Sequence, residues 1–363
     1  MSELIAYRTS NGRVALLATV SLLALSSVAA AAEEGDPPSV WIELGAQLER
    51  IDGSQAPFDP AFLSPMPSFI TTTPVELQRP ARYGIGGEGK LSFQPEGSDW
   101  MFSAAVRYGR ANGQKYLHEQ TPGQNITIHI GSAVLQTVAP YQRFAETRTS
   151  NKESHTFLDF QVGKDVGLGF LGRHTTSNFG FGVRFAQFTS KTAAHMSVET
   201  NLSFPSTILG TKYKTIFSFE GSSERSFHGL GPSLSWNGSA DLLRGADDAA
   251  VTFDWAVNGA ILFGRQKADV DGITVGRHTT GNLIGRHVTV QTNPPPLNAS
   301  RSRSVTVPNL GGSGGISFRF PNAKVSVGYR IDYFFGAMDG GIATAKSYDR
   351  SFHGPYATIS VGL

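Results

Sequence analysis

The chain has 363 residues, of which 40% are hydrophobic and 17% charged, with 41 glycines, 24 phenylalanines, no cysteine and a formal net charge of +2. The lack of cysteine excludes disulfide frameworks, cysteine-ligated metal centres and cysteine nucleophiles, and the balanced charge excludes the strongly basic surface of a nucleic-acid-binding domain. The high content of Gly and Phe favours an all-β protein over an α/β enzyme.

Residues 1 to 32 have the pattern of a secretory signal. Arg8 and Arg13 flank its start, an apolar run rich in Leu and Ala fills 14–28, and small residues at 29–32 offer a cleavage site. We therefore predict export, a short periplasmic tail at 33–38 and one domain at 39–363. No later apolar run reaches the ~18 residues of a membrane helix, so any further contact with a bilayer must be made by strands.

Ten segments follow in which apolar and polar residues alternate with the period of two that marks a strand with two different faces. In one of them, Val325, Val327 and Tyr329 share one face, and Lys324 and Arg330 share the other. The ten segments lie at 40–49, 85–94, 100–108, 158–162, 179–185, 227–236, 251–263, 310–320, 324–335 and 357–363.

The charged residues inside these segments lie on the face opposite the large apolar residues. They are Glu43, Glu49, Glu88, Lys90, Arg107, Asp159, Arg184, Asp254, Arg319, Lys324, Arg330 and Asp332. In a membrane barrel an Arg or Lys that faces lipid at the midplane costs about 2–4 kcal/mol, so these charges are predicted to face the lumen. Because the set balances acids and bases, it favours a salt-bridged lumen, either a plug-like core or a narrow, weakly selective pore. The inward apolar residues Trp41, Met101, Phe157, Leu262 and Phe334 favour partial occlusion.

The connections between the segments alternate in length. Long spaces at 50–83, 111–152, 189–225, 265–304 and 337–350 alternate with shorter ones such as 95–99 and 321–323. This is expected when one end of every hairpin is an outer loop and the other a periplasmic turn. We predict an antiparallel transmembrane β-barrel of about ten strands. An additional hairpin, predicted at 126–138 within the second long space, leaves a barrel of twelve strands as the alternative.

One pentapeptide, Arg-Ser-Phe-His-Gly, occurs at 225–229 and again at 350–354. Both copies open a strand that runs back towards the periplasm. We interpret the repeat as a signal of geometry at the barrel rim, with a duplicated ligand site as the alternative.

The alternating strands, the loop pattern and the signal together resemble Gram-negative outer-membrane β-barrel proteins of a porin-like kind, over nearly all of 39–363. The end of the chain resembles the assembly signal of that class through outward-facing Ile359, Val361 and Leu363, although Leu stands where Phe is usual. The resemblance implies a bacterial outer-membrane location, insertion by the barrel assembly machinery, and contact with outer-membrane lipid and lipopolysaccharide.

The fourth long space is predicted to be a basic outer loop. Its basic residues are Arg265, Lys267, Arg277, Arg286, Arg301 and Arg303. Such a loop suits contact with lipopolysaccharide phosphates or anionic solutes, and a solvated loop surface is the alternative. The predicted function is a small porin or pore-like channel for passive passage of small hydrophilic solutes. The alternative is a surface-exposed adhesion or structural barrel, with a closed lumen and long loops that bind lipopolysaccharide or partners.

Signals for catalysis and metal binding are weak. The GxxxxGK pattern at 84–90 has Leu91 where a P-loop has Ser or Thr, and no helix follows it. The nine histidines show no metal-ligand spacing. We expect no cofactor, no metal, no nucleic-acid partner and no enzymatic activity, with an omptin-like or other hydrolytic site at the outer rim as the alternative.

Overall fold

The structure is a computed structural model. It describes residues 39–53, 83–121, 126–130, 133–137, 142–166, 175–203, 212–244, 249–281, 287–293, 295–342 and 346–363. The predicted signal and tail at 1–38, and Arg286, lie outside these ranges. Among the described residues, no helix is long and apolar enough to cross a membrane.

The described residues form thirteen strands. They are β1 (Ser39–Gly53), β2 (Tyr83–Gln94), β3 (Trp100–Thr121), β4 (Ile126–Ile130), β5 (Ala133–Thr137), β6 (Gln142–Asp165), β7 (Thr175–Ser203), β8 (Lys212–Arg244), β9 (Ala250–Gly281), β10 (His287–Thr292), β11 (Leu297–Phe320), β12 (Ala323–Asp339) and β13 (Ser347–Gly362). All strands except β4, β5 and β10 pair as antiparallel neighbours in one ring, which β1 and β13 close. The prediction of ten strands is therefore confirmed, and the alternative of twelve is not.

The remaining three strands extend this ring or stand beside it. The predicted hairpin is present as β4 and β5, which pair only with each other among the described strands. Strand β10 pairs with the distal end of β9, and β11 pairs with the rest of β9. Three consecutive prolines at 294–296 separate β10 from β11, because a proline has no N–H to donate to the ladder.

The stagger of the strands sets the dimensions of the barrel. A path that follows paired residues once around the ring leaves β11 at Phe318 and returns to it at Thr306, a displacement of 12 residues. Ten strands with this stagger tilt by about 40° from the barrel axis, within the range of membrane barrels. The backbone cylinder then has a radius of roughly 10 Å, which is narrow enough for side chains to fill.

Exposed apolar side chains form a belt around the outside of the barrel. On β12 this belt runs from Val325 to Phe335, and Val327 is 59% exposed. Ten residue steps at that tilt span roughly 25 Å along the membrane normal, which is the height of the apolar band of outer-membrane barrels. The alternation thus places the apolar face outside and the polar face inside, as predicted.

Strands β6 to β9 continue far beyond this belt. On β9 the last apolar outward residue before the polar stretch is Phe263, and the strand runs on from Arg265 to Gly281, a rise of roughly 40 Å above the belt. Strands β12, β13, β1 and β2 are much shorter. The barrel therefore carries a tall wall on one side only, formed mainly by β6 to β9.

Much of the chain predicted as long outer loops is strand in this wall, so the loop prediction was wrong for those parts. The predicted basic loop is the clearest case: Arg265, Lys267 and Arg277 lie on β9, and Arg301 and Arg303 lie on β11. The physical reason is that both faces of the wall carry many polar residues. Thr149 and Asn151, for example, are each 2% exposed on the inner face. Backbone hydrogen bonds between neighbouring strands keep these segments extended, and a pattern of apolar and polar residues does not reveal such bonds.

Candidate functional site

The charged residues predicted to face the lumen surround a cavity of about 390 Å³ near the end of the barrel with the short turns, which is the predicted periplasmic side. Its charged lining is Glu43, Glu88, Lys90, Arg107, Asp159, Arg184, Asp254, Arg319, Lys324, Arg330 and Asp332. The twelfth member of the predicted set, Glu49, lies further towards the outside and is 1% exposed.

Arg184 is the centre of the polar network above this cavity. Its Nε and Nη2 donate to the two carboxylate oxygens of Asp159 at 2.7 and 3.1 Å. Its Nη1 donates to Asn258 Oδ1 at 2.7 Å and to Asn309 Oδ1, and lies 3.8 Å from Asp332 Oδ1. The side chain is only 7% exposed, so strands β6, β7, β9 and β11 are joined across the lumen by one buried guanidinium.

Three further ion pairs surround this network. Arg107 Nη2 lies 2.5 Å from Asp332 Oδ2. Lys324 Nζ lies 2.5 Å from Asp254 Oδ2, and Arg330 makes a bidentate contact with Glu88. Lys90 and Arg319 also line the cavity, and neither makes an ion pair with another described residue.

An apolar layer crosses the lumen next to this polar network, on the side facing the tall wall. The rings of Phe157 and Phe334 stack with centroids 5.2 Å apart, and those of Phe188 and Phe227 with centroids 4.9 Å apart. Phe352 packs 5.4 Å from Phe157 in an edge-on arrangement. Each of these five side chains is at most 2% exposed. Leu262 and Val307, both 0% exposed, complete this aromatic layer.

A buried acid and imidazole lie within the aromatic layer. His155 stacks on Phe157 at 4.8 Å, and its Nε2 lies 3.2 Å from Glu49 Oε1. The pair lacks hydrogen-bonding geometry, and among the described residues none of its four polar atoms has a hydrogen-bond partner. Gly86 and Gly109 on β2 and β3 make room for it. A Cβ at Gly86 would lie 2.7 Å from Glu49 Oε1, and one at Gly109 would overlap both side chains.

A second polar layer lies on the outer side of the aromatic layer. Arg350 donates to Glu153, which also accepts a hydrogen bond from Ser190 at 2.7 Å. Arg225 is 8% exposed and donates to the Asp339 carbonyl at 3.2 Å. Burial lowers the pKa of Arg225 to about 9, and the nearby Arg350 adds to this, whereas Glu153 opposes it. The guanidinium remains charged at neutral pH.

The distal end of β12 folds inward and covers the aromatic layer. Gly336 has φ of 60°, a conformation that favours glycine, and the β12–β13 register shifts between Phe334 and Met338. The resulting capping segment, residues 336–341, buries Met338 and Asp339 at 3% and 0% exposure. The Asp339 carboxylate accepts hydrogen bonds from Arg301 and from the Gly341 N–H. Arg303 Nε lies 3.4 Å away.

The predicted occluding residues divide between two levels. Phe157, Leu262 and Phe334 lie in the aromatic layer, whereas Trp41 and Met101 are half-buried near the periplasmic end. Sequence reasoning missed Phe188, Phe227 and Phe352 as members of this layer. The repeated pentapeptide was the available signal. Its two Phe residues enter the aromatic layer, and its two Arg residues, Arg225 and Arg350, enter the outer polar layer.

The remaining predicted residues lie on the outer surface or in the outer mouth. Ile359, Val361 and Leu363 face outward on or just after β13, at 51%, 43% and 77% exposure. Arg301 and Arg303 face the mouth, where they hold the capping segment. Over the described part of the chain, no three His, Asp or Glu side chains gather in an arrangement that could hold a metal ion.

No protein-family model and no curated protein matches the chain. Solved structures that match include the transport unit of the autotransporter AIDA-I from Escherichia coli, at 10% identity over 98% of this chain and 99% of that one, with a TM-score of 0.22. The translocator domain of the autotransporter NalP from Neisseria meningitidis matches at 11% identity, covering 96% and 95%, with a TM-score of 0.22. The Pseudomonas toluene transporter TodX (P. putida) matches at 9%, covering 91% and 90%, with a TM-score of 0.17.

These likenesses are too distant to carry an argument about function. The class of the molecule follows from its own geometry. A ring of antiparallel strands closes on itself, an apolar belt of membrane height surrounds it, and charged side chains fill its interior. The described strands therefore form a membrane-spanning antiparallel β-barrel.

Proposed function

We propose that the protein is exported by its N-terminal signal to the outer membrane of a Gram-negative bacterium, where it serves as a surface-exposed binding or structural barrel with a closed lumen. The observation that carries this proposal is the aromatic layer. Five phenyl rings with Leu262 and Val307 lie across a barrel of roughly 10 Å backbone radius. A hydrated solute has no path through side chains that are at most 2% exposed.

Two further features support closure. The polar network around Arg184 ties facing strands together on the periplasmic side of the layer. The capping segment covers the layer on the outer side through Asp339. The tall wall gives a closed barrel a surface to present outside the cell.

A second candidate is the small porin. The polar cavity below the aromatic layer and the polar mouth above it support this candidate, since together they supply both ends of a hydrophilic path. Solute would pass only after Phe188, Phe334 and the capping segment moved aside.

Single-channel recording in planar bilayers tests the proposal. We expect the refolded wild-type barrel to be silent and the Phe188→Ala/Phe334→Ala variant to show steady steps. Phe318→Ala, which removes an outward Phe that is 52% exposed, is the matched control and should be silent. Heat-modifiable gel migration verifies folding, and Phe188→Ala alone serves if the double variant does not fold.

Two results would contradict the proposal. Steady conductance steps from the wild-type protein would favour the porin. Silence of a folded Phe188→Ala variant, and of the folded double variant, would contradict the proposal that the aromatic layer is the barrier that closes the lumen, and would leave closure to the Arg184 network and the capping segment.

A further inference from the structure

A groove of about 620 Å³ lies on the outer surface of the barrel, where the apolar belt gives way to the polar wall. Its lining includes Phe185, Leu230, Phe263, His228, Arg265 and Ser304, which define the boundary groove. We propose that the boundary groove binds one phosphate-bearing lipid of the outer leaflet.

The groove is built from two neighbouring rows of paired residues. The inner row places Phe185, Leu230 and Phe263 side by side on β7, β8 and β9. The outer row begins two residues further along β8 and β9, with His228 paired to Arg265. Two residues span roughly 7 Å along a strand. Over that distance the outer surface changes from apolar, at Leu230 and Phe263, to polar and basic, at His228 and Arg265.

The boundary groove has no Asp or Glu in its lining, and His228 and Arg265 make no ion pair with another described residue. The next carboxylates along the same strands, Glu224 and Asp269, lie four residues further out, roughly 13 Å along the strand. Each is already within ion-pair distance of a lysine, at 3.4 and 2.7 Å. His228 and Arg265 are both exposed and remain available to a ligand.

The opposite side of the barrel shows what a compensated boundary looks like. Arg50 and His353 lie there on β1 and β13, just beyond the outward apolar Leu48. Arg50 Nε and His353 Nε2 lie 2.8 and 3.1 Å from the same oxygen of Asp52. The residue types, one Arg and one His, match those of the boundary groove. Here, however, the Asp52 carboxylate already contacts both side chains.

The chemistry of an anionic lipid fits both rows of the boundary groove. A guanidinium is the preferred partner of a phosphate, and the hydroxyl of Ser304, paired with Arg265, offers a further donor. An acyl chain of the same lipid would lie against the Phe185, Leu230 and Phe263 row, where it continues the contact with the bilayer. Free phosphate would gain nothing from that row. The inference depends on the lipid-facing belt and not on closure of the lumen, so the two proposals can fail separately.

Native mass spectrometry of the detergent-refolded full barrel tests the site with dioleoyl phosphatidic acid as the probe. Dioleoylglycerol has the same chains without the phosphate, and inorganic phosphate has the phosphate without the chains. We expect the wild type to bind phosphatidic acid at least about tenfold more tightly than dioleoylglycerol, and inorganic phosphate at the same concentration not to displace the lipid.

The variant His228→Gln/Arg265→Gln should lose about tenfold in affinity for phosphatidic acid, and Arg265→Lys should retain part of it. Arg50→Gln is the matched control and should bind as the wild type does. If the double variant does not fold, Arg265→Gln alone is measured. Wild-type affinity in the folded variant, an equal loss in Arg50→Gln, or displacement by inorganic phosphate would overturn the proposal.

Discussion

Replacing Arg184 by Met should destabilise the barrel more than the removal of any cation near the periplasmic mouth. The substitution replaces the aliphatic stem of the side chain and removes the guanidinium, and with it both bonds to Asp159 and the contacts to Asn258 and Asn309. Asp159 would then remain in the lumen with its only described cation removed. Breaking a buried pair by removing one partner costs about 3–5 kcal/mol.

The matched control is Arg319→Gln. Arg319 lines the same cavity but donates only one described hydrogen bond, of 3.3 Å, to Ser239. We expect its loss to cost no more than about 1 kcal/mol. Urea titration of both variants refolded into lipid vesicles, followed by tryptophan fluorescence and gel migration, measures the two free energies of unfolding.

A second substitution separates the loss of the pair from loss of packing. In Arg184→Met/Asp159→Leu the Asp159 carboxylate is removed together with its cation, and Asp332 keeps its pair with Arg107. Most of the lost stability should therefore return, leaving a deficit of about 1–2 kcal/mol because the side-chain oxygens of Asn258 and Asn309 lose their Arg184 donor. If Arg184→Met and Arg319→Gln had equal effects, or if the double variant were no more stable than Arg184→Met, the buried network would not stabilise the fold as argued.

Two other substitutions test the interior and the outer belt. Gly109→Ala should cost about 1–3 kcal/mol in the same titration because the new Cβ overlaps the buried Glu49 carboxylate, whereas Gly87→Ala, with nothing closer than 3.8 Å, should be nearly neutral; equal effects would contradict the packing around Glu49. Val327→Arg should cost about 2–4 kcal/mol and reduce assembly in the membrane, whereas Ser302→Arg, on the outer face beyond the belt, should cost about 0–1 kcal/mol; similar costs would contradict the position of the belt.

Alternation was sufficient to predict the strands of the belt and which of their faces is polar. It works where lipid imposes strong selection on one face, as at Val325, Val327 and Tyr329. It stops being informative in the wall, where Thr192 on the inner face and Lys191 on the outer face are both polar. The sequence analysis therefore underestimated how far strands β6 to β9 continue beyond the belt.

The aromatic layer was only partly predictable, because its members lie at the ends of the alternating segments. Extending the alternation from outward Phe185 by three residues places Phe188 inside, and extending it back from outward Ala357 places Phe352 inside. The partners of Arg184 could not be predicted in this way. Which residues meet across a lumen depends on the stagger, and a 12-residue displacement is a property of the whole ring rather than of any one strand.

The unequal lengths of the strands have a consequence for where the ring would first open. Strands β7 and β8 pair along their length from Thr175 to Ser203, whereas β1 is only 15 residues long and holds β13 over a short ladder. Regions with fewer backbone bonds open at lower free energy, so amide exchange should be faster along the short ladders of β13, β1, β2 and β3, including the junction of the first and last strands, than along β7 and β8. Phe352 lies on that junction. Local opening there would loosen the aromatic layer from one side while the tall wall stayed intact.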